Sequence, residues 1–290
     1  MSDNQYIPRG FSILPVVVKN LLILNGLFFL ATISLGDDFR VSLNGFTYQG
    51  LDDLLGLHYF GAGKFQPFQL ITYMFMHGSF THILFNMFAL WMFGNALENY
   101  WGPKRFLIYF IVTGLGAALT HYLVMYIFDL RPVLGTISVF LDHPTINGFN
   151  AFMNSENFKI ATSDLQEKFQ VFAPQYNQLV QSNPEQALQS AVDFMVYYRA
   201  ELLNAPVVIG ASGAVFGILL AFGMLFPNSM VYIYFAIPIK AKYFVILYAA
   251  IELYSGFSKT GSNVAHFAHL GGMVFGFFLI LYWKKRMTFF

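Results

Sequence analysis

One serine stands inside a run of small residues, "VVIGASGAVFG", Val207–Gly217. Taken alone, the run reads first as a helix contact, in which serine and glycine let two helices approach closely. A serine at the first turn of a helix has a second use. The free backbone N–H groups there, at the positive end of the helix dipole, suit the stabilisation of an oxyanion. Gly210 and Gly213 flank Ser212 and mark it as a helix start. A serine nucleophile needs a base, and the run "NVAHFAHLGGMVFGFFLILYW" from Asn263 offers His266 and His269. An ionisable group within such an apolar helix is costly and is functional by default. His269 shares a helical face with Gly272 and Gly276, glycines that admit a close neighbour such as Gly213–Gly217. The spacing therefore favours His269 beside Ser212. His266, one turn nearer the outer surface, reads as interfacial or supporting.

A third stretch, "HGSFTHILFN", spans His77–Asn86. His82 and Asn86 are four apart and share a helix face. Both can aim donors at one developing negative charge, or they form an interhelical polar clamp. Ser79 is placed to cap the helix that follows. His77 precedes that helix and reads as a structural hydrogen-bonder at the loop junction. Nucleophile, base and oxyanion donors make up the parts of an acyl-transfer site. No aspartate in the second or sixth apolar span is placed to orient the histidine, so the expectation is a Ser–His dyad. No cofactor and no metal is expected. The chain has no cysteine, and it contains no H-E-x-x-H motif.

These residues lie in a chain of 290 residues that is 57% hydrophobic and 11% charged, with a mean hydropathy of +0.55. That charge is about half the usual share of a soluble domain. The reading is an all-α integral membrane protein whose first partner is the lipid bilayer. A net charge of +1 argues against nucleic acid as a partner. Six spans are expected, at about 14–35, 79–100, 105–128, 206–226, 241–257 and 264–283, within one membrane domain covering 1–290. The fourth helix is expected to begin at Ser212 itself. Fifteen residues to Phe226 cover roughly 22 Å of a core about 30 Å thick, so its first turn would lie below the outer surface. Residues 68–76 read as an interfacial or re-entrant outer loop leading into the second helix.

Basic residues are denser on the side of the two termini (Arg9, Lys104, Arg105, Lys240, Lys242, Lys284, Lys285, Arg286) than opposite, where Arg40, Lys64 and Lys259 lie in the shorter loops and four more are spread over a long insertion that weighs little in this count. Both termini are therefore expected in the cytoplasm. The first apolar run lacks a small-residue cleavage site before it, which reads as no removable signal peptide. With the small core, this points to a bacterial inner membrane. An insertion at about 129–205 joins spans three and four on the outer face. Asn183 before Pro184 starts a helix there, and Ala187, Leu188, Ala191, Val192, Met195, Tyr198 and Leu202 form its apolar stripe. It reads either as a helical insertion packing on the outer loops or as a cap controlling access to a site beneath.

Three motifs carry a resemblance: "GASG" at Gly210–Gly213, "AHLGGMVFG" at Ala268–Gly276, and "HGSFTHILFN", with "GNALE" at Gly94–Glu98 in support. Together they resemble the rhomboid intramembrane serine proteases. The resemblance implies a six-helix bundle with transmembrane proteins as substrates. It implies Ser212 as nucleophile and His269 as general base, with His82 and Asn86 lining the oxyanion hole and the site opening to the outer face. Phe216 takes the position of an aromatic that stacks on the catalytic histidine. Two departures stand out. Phe68 and Gln69 replace a frequent Trp-Arg pair, which implies that the loop is anchored differently with respect to Glu98. The insertion exceeds the minimal core. Glu252 lies near the outer end of the fifth span, which the family uses as part of a substrate gate. It reads as a gate or hydration residue, or as a side chain reaching water.

Overall fold

The computed structural model describes residues 12–160, 162–233, 236–258 and 263–287. Arg9 and Lys259, used above for orientation, lie outside the described residues. The chain divides into two compact units, Met1–Gly36, Met74–Leu119 and Ile209–Phe290 in one, Asp37–Tyr73 and Thr120–Val208 in the other.

The first unit is built of apolar helices. Four helices among the described residues are long and apolar enough to cross a bilayer: Val16–Leu35, Phe80–Trp101, Pro103–Asp142 and His266–Lys285. The third begins in this unit and ends in the other. Two more apolar helices are shorter. Ser212–Leu225 has 14 residues and Ala241–Phe257 has 17. At 1.5 Å per residue these cover about 21 and 25 Å, short of a 30 Å core. Ala241–Phe257, like Val16–Leu35, carries exposed leucine and isoleucine side chains, whereas no residue of Ser212–Leu225 is exposed. Such surface is stable against lipid and unfavourable against water.

Helix starts follow local chemistry. Ser79 caps the second helix by accepting from the His82 backbone N–H at 3.2 Å. Val16–Leu35 has no side-chain cap of its own. Its cap comes from Glu98, 3% exposed, whose two oxygens accept from the N–H groups of Val17 and Val18 at 2.9 and 2.8 Å. A carboxylate at a helix N-terminus satisfies orphan donors and complements the dipole. The residue in "GNALE" thus ties the second helix to the first, where the resemblance implies a link to the outer loop.

The fourth helix begins at Ser212, inside the expected span 206–226. Val207–Val208 before it is a short strand. The third helix departs from expectation. It does not end near residue 128; it passes through a π-helical turn, Tyr126–Leu130, into Arg131–Asp142. Pro132 explains the turn. Proline has no N–H and clashes with the carbonyl four residues back, and one wide turn relieves both without ending the helix.

The second unit has its own aromatic core. Helices Ile146–Met153, Ser163–Ser182 and Pro184–Asn204 enclose Phe149, Phe152, Phe172, Phe194, Met195 and Tyr198. Phe172 and Phe194 stack at 4.2 Å. Asn183 caps the last helix through the Gln186 N–H, with Pro184 in its first turn. Of the expected stripe, Ala187, Ala191, Met195 and Tyr198 are buried, while Leu188, Val192 and Leu202 are partly exposed. This unit also holds the hairpin Arg40–Leu43 with Phe46–Gln49 and the short strand Leu57–His58, which pairs with Val207–Val208.

Residues 69–75 form a helical turn and a 3-10 turn. Gln69, fully buried, holds this segment to the second unit. Its amide donates to the Leu54 and Lys64 carbonyls at 3.1 and 3.2 Å, and its oxygen accepts from the Gln66 N–H at 3.0 Å and the His58 N–H at 3.4 Å.

Candidate active site

The serine helix, Ser212–Leu225, packs chiefly on the histidine helix, Asn263–Met287. The contact rests on Gly272. A Cβ built there would fall on the backbone carbonyl of Gly213, so only glycine permits the approach. Gly213 itself abuts Ala117. Gly276 and Gly217 do not face each other as the spacing argument supposed. Gly276 faces Tyr109 and Thr113, Gly217 faces Thr113, and the Tyr109 hydroxyl donates to the Gly217 carbonyl at 2.8 Å. The third helix thus wedges beside that end of the contact.

This packing brings His269 Nε2 to 2.8 Å from Ser212 Oγ. The Phe216 ring lies flat on the His269 ring, with centroids 4.3 Å apart and planes 6° from parallel. Ser212 is the first residue of its helix, after Ala211, and no side chain caps that terminus. The N–H groups of the first turn have no acceptor within the helix.

Gly210 has φ +125°, a conformation that L side chains rarely adopt. A Cβ there would lie 2.8 Å from both Cε1 and Nε2 of His82 and 3.8 Å from Ser212 Oγ. The space beside Gly210 is therefore bounded by the His82 ring on one side and the serine oxygen on the other. Asn86 is buried, and its Nδ2 makes no hydrogen bond among the described residues. His77 packs edge-on against His82 at 4.9 Å. The Phe75 backbone lies beside its ring, though no partner meets strict hydrogen-bond geometry at either ring nitrogen among the described residues.

The largest difference from expectation is Glu252. It is 7% exposed, and its Oε2 lies 3.0 Å from His269 Nδ1 and 2.7 Å from His266 Nδ1. The carboxylate is largely buried and turned to the two histidines. A carboxylate does meet His269, contrary to the expected bare dyad; it comes from the fifth helix and is a glutamate. The sequence signal is the lone carboxylate in an apolar helix; the bare dyad follows only when aspartates of the second and sixth spans alone are considered.

Glu252, His266 and His269 are also the set among the described residues whose ligand atoms, within 4.8 Å of one another, can hold a metal ion. Zinc bonds of about 2.0–2.1 Å set tetrahedral ligand atoms about 3.3 Å apart. The 2.7 and 3.0 Å separations here are hydrogen-bond spacings, and a metal would have to spread them.

The model for the Rhomboid domain matches residues 64–139 and 186–286, more than half of the chain. The chain belongs to the rhomboid family. Curated relatives agree. Rhomboid-like protein 11 (chloroplastic) of Arabidopsis thaliana is 31% identical over 101 residues, covering 35% of this chain and 34% of that protein. The putative rhomboid protease YdcA of Bacillus subtilis is 36% identical over 55 residues, 19% of this chain and 28% of the relative. The rhomboid protease GlpG of Salmonella choleraesuis is 36% identical over 52 residues, 18% and 19%. The matched stretches span about a third or less of each relative. This rhomboid chain adds residues 140–185 between the two matched segments, and they carry the helices Ile146–Met153 and Ser163–Ser182.

Proposed function

We propose that this protein is an intramembrane serine endopeptidase that cleaves peptide bonds in or near the transmembrane helices of membrane-protein substrates. The observation that carries the reading is the 2.8 Å contact between Ser212 Oγ and His269 Nε2. Ser212 Oγ attacks the scissile carbonyl carbon as its proton passes to His269 Nε2. His82, Asn86 and the first-turn N–H groups of the serine helix receive the oxyanion. His269 then gives its proton to the departing amine as the C–N bond breaks. Water, losing a proton to the same nitrogen, hydrolyses the acyl-serine and restores the enzyme. No cofactor takes part.

In this reading six helices span the bilayer, the two short ones included, and residues 68–76 form the re-entrant outer loop. Both termini lie in the cytoplasm of a bacterial inner membrane, and the site opens to the outer face. A serine at the start of a 14-residue helix lies below the membrane surface, within reach of water. The substrate must present extended backbone, because a hydrogen-bonded helix hides its carbonyls. Segments with glycine, proline or small residues are favoured.

The test is labelling of the detergent-solubilised protein with a fluorophosphonate probe, with and without a chelator. Labelling that is lost in Ser212→Ala and in His269→Ala, and that ignores the chelator, is the expected result. Folded wild-type protein that resists the probe would sink the reading. Labelling abolished by the chelator would shift it to the metal set at Glu252.

A further inference from the structure

We propose that Glu252 is a positioning residue of this site. It fixes the proton of His269 on Nδ1 and so turns the Nε2 lone pair to Ser212, making a Ser–His–Glu triad in which the carboxylate keeps its charge. The inference rests on the protease reading above.

The argument begins with proton counting. An ionised carboxylate only accepts hydrogen bonds. Its Oε2 meets Nδ1 of both His269 and His266 at hydrogen-bond distance, so both Nδ1 atoms must carry hydrogen. In a neutral imidazole the other nitrogen is then an acceptor. For His269 that nitrogen is Nε2, 2.8 Å from Ser212 Oγ, and the bond can only run from the hydroxyl to the ring. That is the direction a general base requires. Without an acceptor at Nδ1, the ring can hold its proton on Nε2, donate to Oγ and take nothing from it.

The ring is also held in two complementary ways. Stacking on Phe216 at 6° fixes its plane but leaves rotation within the plane free. The bond from Nδ1 to Glu252 removes that rotation. His266, one turn earlier on the same helix, donates to the same oxygen at 2.7 Å and steadies the carboxylate. When the serine proton reaches Nε2, the ring becomes a cation directly beside the Glu252 anion, so the charge formed during attack is met by one already in place.

A purely structural Glu252 would only tie the fifth helix to the sixth. Glu252→Gln separates the two roles, because the amide keeps the size and can keep the tie while losing the charge and admitting the reversed proton arrangement. The assay is the rate of fluorophosphonate labelling against probe concentration, in which Oγ bonds phosphorus, fluoride leaves and His269 takes the proton. The expected result for Glu252→Gln is a fall of about 10²–10⁴-fold in the maximal rate. Half-saturation and the thermal unfolding temperature should stay near wild type. Glu252→Asp, which keeps the charge, should recover part of the rate. A Gln variant labelled at the wild-type maximal rate would overturn the proposal.

A measurement on the wild type guards against misfolded variants. Histidine ¹⁵N NMR should find the His269 proton on Nδ1, and finding it on Nε2 would also overturn the proposal. The protease reading fails separately, through a wild type that does not label or a Ser212→Ala that does.

Discussion

Replacing Gly210 by alanine tests whether the space beside Ser212 is the oxyanion site. A Cβ at Gly210 would lie 2.8 Å from Cε1 and Nε2 of His82. Carbon contacts are comfortable at about 3.5 Å, so the His82 ring must withdraw by roughly 0.7 Å. An oxyanion donor works at about 2.7–3.1 Å; moved by that amount it reaches roughly 3.4–3.8 Å, beyond a useful hydrogen bond. Loss of one such donor costs about 10²–10³ in rate. The backbone adds strain, since φ +125° costs a non-glycine residue about 1–3 kcal/mol. Gly102→Ala is the control. It has φ +79° but nothing within 4 Å of its Cβ, so it bears backbone strain without the clash. Labelling with a fluorophosphonate, alongside thermal unfolding in detergent, reads both. The expectation is slow labelling in Gly210→Ala and normal labelling in a somewhat destabilised Gly102→Ala. Equal labelling of Gly210→Ala and wild type would refute the oxyanion argument, and equal loss in both variants would reduce it to unfolding.

Further outcomes follow from the same structure. Glu98→Gln should destabilise by about 1–2 kcal/mol, because the charged cap on Val17 and Val18 becomes a neutral one; unchanged thermal unfolding would show that the cap contributes nothing. Gln69→Leu leaves the Leu54 carbonyl and the His58 and Gln66 N–H groups without this partner, while the Lys64 carbonyl keeps its bond from the Tyr48 hydroxyl at 2.8 Å. At about 1–3 kcal/mol per buried orphan, limited proteolysis should cut residues 56–69 much faster than in wild type, and an unchanged cutting rate would count against the anchoring role. Asp53 supplies a pH dependence. Burial would raise its carboxyl, but bonds from His58, Lys64 and the Gln49 N–H, with the Lys64 charge, hold it down to about 2. A depressed acid stabilises the fold above the unfolded value of about 3.9 and loses that contribution as pH falls through the folded value. Stability in the second unit should therefore drop between about pH 4 and pH 2, by roughly 1–2 kcal/mol once partial exposure is allowed for. In Asp53→Asn that acid-dependent portion should vanish, which chemical denaturation across the pH range will check.

Much of the site was legible in the chain because local spacing carries it. A glycine pair beside a serine marks a helix start, and the helix does begin at Ser212. Histidine at three and seven residues from two glycines marks a contact face, and Gly272 does touch Gly213. Ser79 and Asn183 cap their helices as their positions imply. These are properties of single helices, in which 3.6 residues per turn converts spacing into direction. Other features needed the packed molecule. Gly276 meets Tyr109 and Thr113 because a third helix occupies that end of the contact, and one helix's periodicity cannot say which neighbour arrives. The long third helix runs on past residue 128 because a wide turn accommodates Pro132, where a proline in sequence reads as a stop. Gln69 anchors its own segment through four bonds to groups 3 to 15 residues away, invisible to any motif. Glu252 is the sharpest case. Sequence alone determined that a serine, a histidine and a lone carboxylate lie in apolar helices. Only the crossing of the fifth and sixth helices decided that the carboxylate meets Nδ1 of His269, because a contact between residues 17 apart on separate helices depends on interhelical packing, and no local period encodes it.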